Sequence, residues 1–120
     1  MAKSVSTAEV TNAIEQFHAD SANSDAFAQA VRLSLAWFAA AHPGRAVELR
    51  VPPYGAVQIL EGTTHRRGTP AAVVEMSPEV WIALFTQATT WEAASASGQV
   101  LASGARSDLT ELLTSTPYGL

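Results

Sequence analysis

The residues able to do chemistry in this chain are three histidines, a scatter of hydroxyls and carboxylates, and one arginine pair. His18, His42 and His65 lie far apart, and none forms a metal-binding pattern with a second ligand type at i, i+3 or i+4. The local pair His18 and Asp20 is no exception, so surface or capping roles are the plainer reading. Cysteine is absent, which removes disulfides, thiolate nucleophiles and sulfur metal sites. Serine, histidine and aspartate all occur, yet no Gly-x-Ser-x-Gly elbow follows a strand. The glycines are scattered singly, so no loop is built to cradle a phosphate. No catalytic residue, metal site or cofactor is therefore assigned, and the expectation is a chain with no reaction of its own.

Two groups of residues suit binding instead. The stretch from Glu61 to Pro70 is the most polar in the chain and holds His65, Arg66 and Arg67. Arginine's planar fork suits a carboxylate or an anionic headgroup. The plainer alternative is a solvated hairpin connection whose arginines answer Glu61 or Glu75. The second group is apolar: Trp81, Leu84, Phe85 and Trp91. Helical spacing makes ordinary core the default. A ligand cavity needs the same residues with too little filling between helix and sheet.

Composition bounds what surrounds these groups. With 120 residues, 48% of them hydrophobic and 15% charged, the chain can bury one core as a single domain over 1–120. A mainly disordered chain is excluded. Net charge −4 argues against a nucleic-acid partner, which wants a basic face. The longest apolar run, Leu35 to Ala41, is far short of the roughly 20 residues that span a bilayer, so no transmembrane segment is expected. With no secretory signal pattern, the expected location is cytoplasmic. One lysine against six arginines, in an alanine-rich chain, hints at a GC-rich bacterial genome.

The elements follow from caps and periods. Ser6-Thr7-Ala8-Glu9 has capping-box spacing, with Val10, Ala13, Ile14 and Phe17 on one helical face. Ser21 to Ser24 interrupts, and a longer helix runs from about Asp25 to Ala41, with Phe27, Val31, Leu35 and Phe38 in its stripe. His42-Pro43-Gly44 stops it. The two N-terminal helices so occupy about 7–41. The period then becomes two. Val47, Leu49 and Val51 share one face, while Glu48 and Arg50 share a wet one. Pro52-Pro53 makes a corner, and Tyr54 to Leu60 returns as an antiparallel neighbour. Ala72 to Met76 is a third strand. Ser77-Pro78-Glu79 opens a helix to about Gln87 with Val80, Trp81, Leu84 and Phe85 as its apolar stripe. Thr90 caps a short helix to Ser97, ended by Gly98. Gln99 to Ser103 is a fourth, peripheral strand. Asp108 is placed as the N-cap of a closing helix carrying Leu109, Leu112 and Leu113. This order predicts an α+β domain, with sheet and late helices over about 45–114.

A family resemblance sharpens the expectation. The phrases Val47 to Tyr54, Ala56-Val57-Gln58 and His65 to Pro70 resemble the bacterial branch of the sterol-carrier-protein-like family. So do Trp81, Trp91-Glu92-Ala93, Gly98 and the phrase Ala102 to Leu109. The likeness covers roughly residues 27 to 114. It implies a small mixed or antiparallel sheet of about four to five strands with helices packed on one face. It also implies non-enzymatic binding of an acyl lipid or sterol-like compound in an apolar tunnel between sheet and helices. On that reading Trp81, Leu84 and Phe85 line the tunnel from one side, and Val57 and Ile59 from the other. Leu109 and Leu112 then cover the mouth, and His65, Arg66 and Arg67 hold a headgroup. Two departures stand out. Family members often have glycine where Gln87 stands, so the helix is expected to end differently here, and Tyr118-Gly119-Leu120 is not a peroxisomal signal. The rival reading is a protein-interaction or homodimerisation module with a filled core and an exposed apolar sheet face.

Overall fold

The computed structural model describes residues 5–61, 72–104 and 107–118. Helix α1, Thr7–Ala19, begins as its sequence requires: Ser6 Oγ accepts from the Glu9 amide at 3.1 Å and Ser6 N donates back to Glu9 Oε1 at 3.2 Å. Helix α2, Ser24–Ala41, starts one residue before the expected Asp25. The reason is Asn23, whose Oδ1 accepts from both Asp25 N and Ala26 N. The two helices pack on each other, α1 through Val10, Ala13 and Ile14.

Strands β1 (Val47–Val51), β2 (Gly55–Ile59), β3 (Ala72–Met76) and β4 (Val100–Ser103) form one mixed sheet in the order β2-β1-β3-β4. The β1–β2 pair is antiparallel, as the hairpin corner at Pro52-Pro53 demands, and β3–β4 is antiparallel too. The middle pair, β1 and β3, is parallel. The alternation inferred from sequence sets the two faces. Val47, Leu49 and Val51 are buried, with Ile59, Val74, Met76 and Val100 on the same side. Arg50, Gln58, Leu101 and Ser103 point to the open side and are exposed, with Glu48 and Glu75 half-buried among them. Among the described residues helices cover one face only, which is the layering expected of an α+β domain.

Three late helices complete the layer: α3 (Pro78–Phe85), α4 (Trp91–Ala96) and α5 (Thr110–Leu113). Ser77 caps α3, its Oγ accepting from Val80 N at 3.2 Å, and Thr90 caps α4 in the same way through Ala93 N. Three expectations need correction. Helix α3 stops at Phe85, not Gln87, and Ile82, absent from the expected stripe, is buried. Gln87 nevertheless takes the left-handed conformation that glycine favours, at φ 69°. Its amide Nε2 donates to the Leu113 carbonyl, a bond that glycine could not make. The third concerns α5, whose N-cap position is Leu109 with no side-chain cap. Asp108 sits one residue earlier and accepts from Thr110 N at 2.9 Å and Thr110 Oγ1 at 2.6 Å. Those two bonds hold its carboxyl below the usual range.

Candidate functional site

The aromatic group marked in the sequence gathers around α3. Pro78 fixes the first helical position, and the turns that follow place Trp81, Leu84 and Phe85 on the buried side, each no more than 1% exposed. Two of them meet aromatic rings of α2. Trp81 meets Phe38 edge-on, with centroids 5.2 Å apart and planes at 76°, and Phe85 lies 5.5 Å beyond it. Phe85 in turn receives Trp37 at 5.8 Å and 85°. A polar link joins α2 and α3 across this interior. Trp81 Nε1 donates to Ser34 Oγ at 2.7 Å, and Ser34 Oγ donates to the Val31 carbonyl at 3.0 Å. Both residues are fully buried, so the bond satisfies an indole that water cannot reach.

The C-terminal segment folds back onto the same wall. Thr116, itself buried, donates through Oγ1 to the Phe85 carbonyl at 2.9 Å and accepts from Tyr118 N at 3.2 Å. The Tyr118 ring stands 6.2 Å from Phe85. Burial, and secondarily the Glu15 carboxylate, push its hydroxyl above the ordinary tyrosine range. Trp37 ties the other end, donating to Thr7 Oγ1 at 3.2 Å. The serine, the threonine and Trp37 were not among the expected site residues. Ser34 left a trace: it interrupts an otherwise apolar stripe of Val31, Leu35 and Phe38, where a hydroxyl has to find a partner. Thr116 left none.

Of the other expected residues, Ile59 and Leu109 are fully buried, whereas Val57 and Leu112 are half-buried. Ile59 and Leu109 share one continuous apolar cluster with the α3 aromatics, and Val57 and Leu112 pack against it. His65, Arg66 and Arg67 lie outside the described residues. His42, the C-cap of α2, has its ring 4.8 Å from Phe38, and its Nε2 is buried without a hydrogen-bond partner among the described residues. Desolvation holds its pKa below the ordinary 6.5. Among the described residues no cluster of three metal-ligating side chains forms.

A pocket of about 410 Å³ opens elsewhere, at the end of the sheet where β1 and β3 finish and β4 begins. Pro52, Glu75, Met76, Pro78, Gln99 and Leu101 are on its wall. The residues expected to bound a cargo chamber are not on it.

Against known proteins, a family model described as bacterial SCP ortholog matches residues 23–114, from the cap of α2 through the end of α5. No curated protein matches the chain. Among the described residues no helix is long and apolar enough to cross a membrane.

Proposed function

We propose a carrier role for this chain, which belongs to the bacterial sterol-carrier-protein-like family: it binds an apolar small molecule, an acyl lipid or sterol-like compound, between the inner sheet face and the helices. The reading includes no catalytic step and places the protein in the cytoplasm. The observation that carries it is the aromatic wall of Phe38, Trp81 and Phe85, tied across by the Trp81–Ser34 bond and backed by the apolar strands. Burying apolar cargo there contributes about 25 cal/mol per Å², less the cost of association. That suffices for micromolar binding without a charged anchor. Trp81, Leu84 and Phe85 are closed in by neighbours, so cargo enters by a shift toward a state in which α3 stands away from α2. Val57 and Ile59 then form the opposite wall, Leu109 and Leu112 the mouth, and His65, Arg66 and Arg67 the contact for an anionic headgroup.

Native mass spectrometry of the purified protein, alone and after mixing with palmitate or cholesterol, tests this. The expected spectrum shows a 1:1 lipid adduct on the monomer. Replacing Arg66 and Arg67 by Ala is expected to weaken palmitate capture, spare cholesterol, and leave the melting temperature nearly unchanged. A folded protein that takes up neither lipid refutes the carrier reading. The second reading, a homodimeric or partner-binding module, draws on Leu101, which is 67% exposed on the open sheet face. A dimer without added lipid mass would support it.

A further inference from the structure

We infer that the pocket at the end of β3 and β4 is a separate binding site for a small organic ammonium compound with an apolar body, anchored by Glu75. The sheet register puts Glu75 between two outward neighbours, Arg50 on β1 and Leu101 on β4. Arg50 turns its Nε to Glu48 Oε1 and forms no ion pair with Glu75. Glu75 is half-buried at the pocket wall with no hydrogen-bond or ion-pair partner among the described residues. An ionised carboxylate in that position gains from any cation that replaces its lost water.

The surroundings select the sign and shape of the ligand. Among the described residues no cation lines the pocket, and its other polar side chains are Ser77 and Gln99. Ser77 Oγ is taken by the α3 amide it caps, and Gln99 Oε1 by Ser97 Oγ at 2.8 Å. Glu79, in the first turn of α3, adds negative charge that counters the helix's positive end. An anion would meet the like charges of Glu75 and Glu79 and no lining cation among the described residues. The remaining wall is apolar, from Pro52, Met76, Pro78 and Leu101. Leu101, at 67% exposed, offers a hydrophobic surface that a flat ring can cover. The volume of about 410 Å³ lies within the range of small-ligand sites, which is about 300–1,000 Å³.

The test is an amide NMR titration of the full chain with three matched probes: 2-phenylethylamine, neutral 2-phenylethanol and anionic 3-phenylpropanoate. The amine is expected to shift Glu75, Met76, Ser77, Gln99 and Leu101 saturably, and to bind about tenfold more tightly than the alcohol, as a hydrogen bond to a charged group implies. The anion is expected to leave those resonances in place. Glu75→Gln should bring amine binding down to the level of the alcohol, and added salt should weaken it in the parent protein. Leu101→Ser should weaken amine and alcohol alike. Equal binding of amine and alcohol, an unaffected Glu75→Gln variant, shifts that map elsewhere, or no saturable shift at all would each overturn the assignment. Both substituted positions face the open side of the sheet, so a melting curve matching the parent's establishes that a loss is local.

Discussion

The bond from Trp81 Nε1 to Ser34 Oγ supplies the sharpest prediction. Both residues are fully buried, and the 2.7 Å separation leaves no room for water between them. Ser34→Ala removes the acceptor and strands the indole N–H in an apolar interior, at a cost of about 1–3 kcal/mol. Alanine's better helix propensity returns roughly 0.5 kcal/mol in the middle of α2. A net loss of about 1–2 kcal/mol follows, seen as a melting temperature lowered by about 4–8 °C. In a Trp81→Phe background there is no N–H to strand. The serine hydroxyl then keeps only its local bond to the Val31 carbonyl, and the same Ser34→Ala change should be close to neutral. The four proteins form a double-mutant cycle with an expected coupling above about 1 kcal/mol. Urea unfolding followed by far-ultraviolet circular dichroism measures it, with constant m-values confirming a common transition. An equal cost of Ser34→Ala in both backgrounds would refute the bond as the polar tie between α2 and α3.

Three further outcomes follow from backbone geometry and titration. A Cβ at Gly44 would lie 1.9 Å from the Leu60 carbonyl oxygen, whereas one at Gly98 meets open space despite φ 78°; Gly44→Ala should therefore cost at least about 3 kcal/mol, and Gly98→Ala about 1, by urea unfolding. At Gln87, Ala keeps the unfavourable φ and loses the bond to Leu113, so a loss of about 1 kcal/mol is expected; Gly relieves the backbone as it loses the bond and should be near neutral. Burial lowers the His42 pKa, so the unfolded chain binds the proton more readily than the folded one. The stability from this source is full above the unfolded value near 6.5 and falls as acidification proceeds below it, and His42→Gln should flatten the melting temperature against pH in that window.

The elements were legible because their ends are written locally. Ser6 with Glu9, Ser77 with Pro78, and His42-Pro43-Gly44 each act within one turn, and each falls where the sequence puts it. The period-two run through Val47, Leu49 and Val51 likewise decided which sheet face is buried. What stayed hidden depends on partners distant in sequence. Nothing within Ala72 to Met76 indicates that it pairs parallel with β1, because that choice is settled by how the layers close. Gln87 violates a local backbone preference, and the Leu113 carbonyl that accepts from its amide is 26 residues away.

The same division runs through the two sites. The burial of Trp81, Leu84 and Phe85 follows from helical spacing, but a filled interior and a cargo chamber use the same residue types and differ by a few methylenes of volume. The pocket beside Glu75 left still less trace, since its wall is assembled from the ends of β1 and β3, the start of α3 and the α4–β4 turn. Leu101 reads in sequence as one apolar residue in a short edge strand, and Glu75 as one charge in an apolar one. Only the register that sets them side by side on the open face, with Arg50 turned to Glu48, leaves the carboxylate unpaired among the described residues and gives the leucine a surface to offer. A binding site of this kind consists of relations between strands, and those relations form only when the sheet does.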